Sequence, residues 1–345
     1  MEHKSLFWFN LGGFINRIVT FDMMNNLNLP LVSIVVCTYN AGPYLNRQLD
    51  TLVNQSYKNL EIIVVDDFST DATLEVLDGY RDYPFFKIYT NETNIGFNKN
   101  FERGISFAKG DFIAICDQDD IWALDKIELL VRNIGENHLI FSNSELIDSN
   151  DIPIGKELLP QSFNIEGFGF KSILLRNFVT GHTCLFSKGF ASFIIPLPES
   201  GYYDWFIGFR ALYYKKIKFL NLNLTSYRVH KDSVIQKSLV GPTSARNNLA
   251  WINYKSTLTE LRCFKEILAL KQSDKLFIEK LVNMYETICA KSLLRWILFI
   301  YINYNDLFPF DKKRKLLSKT RMLKAKIFVQ EVLNVKKSMA KSQFL

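Results

Sequence analysis

Phe112-Ile113-Ala114-Ile115-Cys116-Asp117-Gln118-Asp119-Asp120-Ile121-Trp122 is the stretch on which the fold turns. Residues 112–116 are apolar-leaning and read as a short buried strand. Three carboxylates follow within the next four residues. Adjacent anions at the end of a buried strand repel one another. A divalent cation is the usual relief, because it prefers hard oxygen ligands. Such a cation also carries diphosphates, so the stretch points to a sugar-nucleotide site.

The residues before it repeat one pattern. Leu31-Val32-Ser33-Ile34-Val35-Val36-Cys37 is apolar and β-branched, as expected of a strand buried on both faces. Thr38-Tyr39-Asn40 opens a loop, and Pro43 suits the first turn of a helix striped by Leu45, Leu49, Leu52 and Val53. A strand over 60–65, a polar loop beginning Asp66-Asp67, and a helix over 72–80 come next. A strand over 86–89 and a helix over 96–109 complete the series. Strands alternating with helices predict an α/β fold with a mostly parallel, Rossmann-like sheet and helices on both faces. Ligands of such sheets bind beyond the C-terminal strand ends, near a topological switch. Those ends carry Thr38-Tyr39-Asn40, Asp66-Asp67 and the acidic cluster. No Gly-x-Gly-x-x-Gly follows the first strand and no Gly-Lys-Thr loop occurs, so phosphates must be held another way, which again favours metal.

After Trp122 the pattern predicts a helix over 124–133, a strand over 138–142 and an irregular segment over 148–169. A helix over 170–176, a strand over 183–186, an aromatic helix over 202–215 and a short strand over 217–220 follow. From Ser244 onward the periodicity is helical. Trp251, Tyr254, Leu258 and Leu261 form one stripe, and Phe277, Leu281, Met284 and Ile288 another. The expected organisation is an N-terminal extension over 1–30 and a domain over 31–240. That domain divides into a nucleotide half, 31–122, and an acceptor half, 123–240. A helical C-terminal region, 241–345, ends in a basic amphipathic tail.

The 345 residues are 48% apolar, with 29 Phe and 15 Tyr, which supports a thick core and excludes a disordered chain. Net charge is +7, and residues 311–345 hold 11 Lys/Arg against 2 Asp/Glu, so the basic character belongs to the tail. A basic tail suits an anionic membrane face. Five scattered cysteines imply neither disulfide framework nor metal spacing, which fits a reducing cytoplasm. Leu6-Phe7-Trp8-Phe9 lacks a signal-peptide pattern, and 293–302 is too short to span a bilayer.

Asp117 and Asp119 are candidate metal or diphosphate ligands, with Asp120 either joining them or capping the next helix. Asp66 and Asp67 are placed to accept from a pyrimidine N3–H, and Tyr39 to lie against the base. Thr38 and Asn40 line the same edge. Lys99 can meet the diphosphate as a point charge. Asp204, between Tyr203 and Trp205, is a candidate base in an aromatic setting. His182, Trp122 and Asp120, with Tyr203 and Trp205, are candidates for an acceptor or donor-sugar pocket. His230 is a candidate metal or phosphate ligand.

Together these residues resemble the family 2 glycosyltransferases of the GT-A fold. The matching elements are Val32-Ser33-Ile34-Val35-Val36-Cys37-Thr38-Tyr39-Asn40, Val64-Val65-Asp66-Asp67-Phe68-Ser69-Thr70-Asp71, Asn94-Ile95-Gly96 and the segment 110–122. Cys116-Asp117-Gln118-Asp119-Asp120-Ile121-Trp122, Tyr203-Asp204-Trp205 and Tyr227-Arg228-Val229-His230 look most like the rhamnosyltransferase-like branch that builds bacterial surface polysaccharides. The resemblance spans about residues 31–235. It implies inverting transfer from a dTDP- or UDP-sugar to a lipid-linked acceptor, aided by Mg²⁺ or Mn²⁺, at the cytoplasmic membrane face, with no nucleic-acid partner. Asp204 would be the general base, Asp119 the metal aspartate, Asp66 the base-reading aspartate and His230 a diphosphate-side residue. Many members carry Ala-Arg-Asn where this chain has Asn98-Lys99-Asn100. That keeps the positive charge without the guanidinium fork.

Overall fold

The structure, a computed structural model, describes residues 7–8, 18–19, 29–230, 243–309 and 318–342. The run at Leu6–Phe9 and the domain boundary at 240 fall largely outside them, as do 310–317 and 343–345 of the basic tail.

The first four strands are β1 (Val32–Thr38), β2 (Leu60–Asp66), β3 (Phe86–Thr90) and β4 (Phe112–Cys116). They alternate with helices α1 (Leu45–Val53), α2 (Thr73–Asp78) and α3 (Phe97–Phe107). All pair in parallel, with β1 between β2 and β4. The chain leaves β1 toward β2 and β3, then crosses back to β4, so the topological switch lies between β1 and β4. The register sets Thr38 opposite Asp66 and Val36 opposite Cys116. All three polar strand ends therefore share one edge.

The apolar runs are continuous because both sheet faces are covered. Ile34, Val36, Ile62 and Val64 point to a core with Leu45, Leu49 and Leu52 of α1. Val35, Ile63, Val65, Ile113 and Ile115 point the other way, to Phe101 and Ile105 of α3.

The second half adds β5 (Ile121–Trp122), α4 (Lys126–Ile134), β6 (Leu139–Ile147), β7 (Pro153–Glu157), β8 (Cys184–Ser187), α5 (Lys188–Ile194), α6 (Tyr203–Tyr213) and β9 (Ile217–Arg228). The nine-stranded sheet runs β3-β2-β1-β4-β8-β6-β9-β5, with β7 on β6. Here the sheet is mixed: β8 lies antiparallel to both β4 and β6, while β6 and β9 are parallel. The segment expected to be irregular contains β7, antiparallel to β6. The short strand expected over 217–220 continues to Arg228 through two register shifts. Its alternation is lost at those shifts, which hid its length. The helix expected over 170–176 is a single 3₁₀ turn, Phe170–Ile173.

The C-terminal helices are α7 (Thr243–Lys265), α8 (Gln272–Thr287), α9 (Leu293–Ile302), the short α10 (Tyr304–Leu307) and α11 (Ser318–Ser342). The expected stripes are buried at Tyr254, Leu261, Leu281, Met284 and Ile288; the side chain of Trp251 is outside the described set. These residues share one core with α6 and the sheet. Phe264 of α7 stacks on Phe209 of α6 at 4.2 Å between ring centroids. The C-terminal helical region thus packs directly on α6 and shares its core.

Candidate functional site

The loops after β1 and β2 are locked together. Asp66 is fully buried and accepts from the Thr38 hydroxyl (2.8 Å), the Ser69 amide (2.8 Å) and the Ser69 hydroxyl (2.6 Å). Asn40, at φ +44°, donates its amide to Ser69 and accepts from the Thr70 amide. Left-handed backbone is tolerable for Asn because its short side chain bonds locally. Asp67 accepts from Asn91 and from the amides of Ile95 and Gly96, which orients the start of α3. Both carboxylates are thus occupied in holding the loops, and Asp66 is not free to read a base as expected. The surface left to a ligand at this edge is aromatic: Tyr39 and Phe68 are about half exposed.

Gln118, passed over between its acidic neighbours, grips the Tyr39 backbone. It accepts from the amide at 2.8 Å and donates to the carbonyl at 3.3 Å. Lys99 pairs with Glu102 at 3.8 Å instead of joining the acidic loop. Its neighbours do the structural work there. Asn98 donates to the carbonyls of Pro198 and Gly201, and Asn100 to that of Val65.

The acidic loop divides into two centres. Asp117, Asp120 and His182 each offer a ligand atom, and these atoms lie within 4.8 Å of one another. His182 Nδ1 is 3.5 Å from Asp117 and 3.9 Å from Asp120. Its Nε2 meets the Ser144 hydroxyl at 3.0 Å, and its ring stacks on Tyr227, which fixes its orientation. Beside this trio, Asp119 meets His230 Nε2 at 2.9 Å. His182 and Asp120, expected in a sugar pocket, thus belong with the carboxylates. Nor does Asp120 cap α4, whose N-cap position is Asp125. Asp120 is fully buried and takes the Arg228 amide on one oxygen, while its other oxygen has no hydrogen-bond partner. Burial and the neighbouring Asp119 and Asp117 push its pKa well up; burial and Asp117 raise Asp119. An orphaned buried oxygen facing a carboxylate and an imidazole is a donor set that fits a hard divalent cation.

Two cations support this loop from behind. Arg228 Nε donates to the Asp119 carbonyl at 2.8 Å, and its guanidinium lies over Tyr44 and pairs with Asp151. Lys126 is fully buried, donates to the His182 carbonyl (2.6 Å) and the Thr225 hydroxyl (2.7 Å), and sits 3.4 Å above the Trp122 ring. Burial lowers its pKa to about 7. Trp122 is therefore a buried support for an ammonium and no sugar platform. A lysine in helical periodicity reads as solvated, so nothing in the sequence marked Lys126; Arg228 sat unremarked inside the Tyr-Arg-x-His motif.

Asp204 is the second residue of α6. It accepts from the Trp205 amide at 2.6 Å and the Gly181 amide at 3.4 Å. Burial, with Asp117 adding, raises its pKa to about 7 against the pull of those two amides. Gly181 directly precedes His182, so one turn joins the base candidate to the acidic cluster. Tyr203 is buried against Phe101. Trp205 also lies in the core, donating to the Ile173 carbonyl and packing on Phe264. Neither forms the open sugar pocket expected of it.

The family model for Glycosyl transferase family 2 matches residues 33–193. This segment is a family 2 glycosyltransferase domain. EpsH of Bacillus subtilis (strain 168), a glycosyltransferase by name, is 28% identical over 337 residues, covering 86% of this chain and 94% of that one. WfgD of Escherichia coli is named a UDP-Glc:alpha-D-GlcNAc-diphosphoundecaprenol beta-1,3-glucosyltransferase. It is 35% identical over 133 residues, 38% of this chain and 52% of WfgD. An uncharacterized glycosyltransferase of Haemophilus influenzae is 37% identical over 118 residues, 34% of this chain, which spans about half of that protein. S. aureus TarS 1-349 in complex with UDP-GlcNAc superposes with a TM-score of 0.54 at 17% identity, covering 90% of this chain and 92% of TarS. The family 2 domain therefore has the GT-A fold, and Asp204 and His230 lie beyond the matched segment.

Proposed function

We propose that the chain is an inverting, metal-dependent glycosyltransferase of cell-surface polysaccharide assembly, moving a sugar from a nucleoside diphosphate to a lipid-linked glycan. The observation that carries this is Asp204: a carboxylate poised near neutrality, joined through Gly181 and His182 to an acidic cluster. Asp204 takes the proton of the acceptor hydroxyl as its oxygen attacks the anomeric carbon. The bond to the diphosphate breaks on the opposite face, which inverts the centre. A divalent cation held by Asp117, Asp120 and His182, with Asp119 and His230 alongside, would supply Lewis-acid stabilisation of the leaving diphosphate. Tyr39 and Phe68 offer the base an aromatic surface.

The motif resemblance favours rhamnose from dTDP-rhamnose. A UDP-hexose is the second reading, supported by the UDP-Glc in the name of WfgD and the UDP-GlcNAc bound by TarS. The mannosyltransferase PcManGT of Pyrobaculum calidifontis, in complex with GDP-Man and Mn2+ (TM-score 0.51, 14% identity, 87% of this chain and 86% of that one), supports a cation in this fold. A thermal-shift screen of UDP, dTDP and GDP, each with and without Mn²⁺, tests the reading. The expected result is a stabilisation that needs nucleotide and metal together, largest for dTDP. No shift with any of the three would sink it.

We further infer a peripheral position on the cytoplasmic face of the membrane. Among the described helices none is long and apolar enough to cross a membrane. Leu294, Leu298 and Ile302 instead form an exposed stripe on α9, Ile302 at 76% exposure, and Leu323 and Ile327 do so on α11. α9 carries Arg295 and no acidic residue, and α11 carries seven Lys/Arg against one Glu. Apolar side chains flanked by cations suit an anionic lipid surface, each cation adding about 1 kcal/mol. The full chain should float with phosphatidylglycerol vesicles and not with pure phosphatidylcholine. Leu294→Glu with Leu298→Glu should abolish flotation. Wild-type protein that ignores anionic vesicles would refute the placement.

A further inference from the structure

Glu260 lies on α7, far from Asp204 in sequence, and is fully buried. One of its oxygens accepts the Tyr202 amide at 2.5 Å, and the other has no hydrogen-bond partner. Burying a carboxyl without a counter-cation is costly, so the position calls for a reason beyond packing. That reason lies in what the carboxyl touches. Gly201 stands at φ +87°, and a Cβ there would come within 2.4 Å of the Glu260 carboxyl oxygen. The carboxyl is thus packed flush on the left-handed residue that launches α6. From the opposite side, Asn98 donates to the Gly201 carbonyl at 3.1 Å and accepts the Tyr203 amide at 3.2 Å. Two side chains from distant elements grip the turn immediately before Asp204.

We propose that Glu260 is a positioning residue: it fixes the turn at Gly201 and Tyr202 and so sets where Asp204 presents its carboxylate. The proposal rests on the reading of Asp204 as the base. Burial, with Asp204 adding, raises the Glu260 pKa to about 8, and Glu260 in turn adds to the raised pKa of Cys263. Burial thus favours the uncharged form of the Glu260 carboxyl.

The experiment uses the full chain as Glu260→Ala, Glu260→Gln and Gly201→Ala. Turnover is measured with whichever UDP-, dTDP- or GDP-sugar the wild type consumes, and amide hydrogen exchange is followed over residues 200–206. Glu260→Ala should lower kcat about tenfold or more with the donor KM unchanged, since small misplacement of a reacting group is expensive. Glu260→Gln should restore most of the rate, because its amide oxygen still accepts from Tyr202. Exchange over 200–206 should quicken in the Ala variant and stay slow in β1 and β2. Wild-type kcat together with unchanged exchange in Glu260→Ala would overturn the proposal. Should that variant not fold, Gly201→Ala takes its place, and a wild-type rate and exchange there would overturn it equally. A wild type that consumes no nucleotide sugar would refute the base assignment, while exchange would still report whether Glu260 holds the turn.

Discussion

Asp204→Asn is expected to lower kcat by about 10²–10⁴-fold while nucleotide affinity stays unchanged. The substitution keeps the shape and the contact with the Trp205 amide; it loses the proton acceptor and the long contact with the Gly181 amide. The wild-type pH profile carries the same signature. The base works when ionised, and its pKa is raised to about 7, so kcat should climb with pH up to that point and level off above it. The Asn variant should lack this limb. Stability runs in the opposite sense. A folded-state pKa raised above the unfolded value means that stability is present at low pH and lost as pH rises through the folded pKa. The Asn variant, which does not titrate, should therefore gain in melting temperature relative to wild type between about pH 4 and pH 7, and hold that gain above. Calorimetry across this range checks the sign. A variant with full transfer activity would move the base elsewhere, or make the protein a non-catalytic scaffold.

The second large effect is on the cation. Asp117 borders both centres of the acidic loop, so Asp117→Ala should abolish the Mn²⁺-dependent part of nucleotide binding. His182→Ala should weaken Mn²⁺ by about 10–100-fold or more, the range for losing even an outer partner of a metal site. Calorimetric titration with Mn²⁺ alone reads this without any turnover. Wild-type affinity in His182→Ala, together with loss in His230→Ala, would transfer the cation to the Asp119–His230 pair.

Much of this arrangement was legible in the chain. The doubly covered strands announced themselves because two buried faces leave no polar alternation to confuse the eye. The acidic cluster announced itself through its electrostatic cost. What escaped notice falls into two kinds. Lys126, Gln118 and Asn98 look like ordinary helix or loop residues, and only the fold reveals that their polar atoms are spent on distant backbone. Asp66, Trp122 and Trp205 erred the other way. Each has chemistry suited to a ligand, but packing around them had already claimed it. Asp66 is the clearest instance, since its oxygens are taken by Thr38, expected on the same edge, and by Ser69 of the following loop. Beyond β4 the three expected strands are present, but the full length of β9 left no pattern to read because the strand changes register twice.

The stacking of Phe264 on Phe209 bears on how such proteins can be recombined. A chimera that joined residues 31–240 of this chain to the C-terminal helices of a relative would not be exchanging an accessory. It would replace one wall of the chamber in which α6 is seated, and a mismatched wall would disturb the helix that carries Asp204 before any change in acceptor preference could be observed. Donor and acceptor specificities are therefore better exchanged through the loops at the strand ends. The strands that carry those loops and the C-terminal helices are tied to one core and must be inherited as a pair.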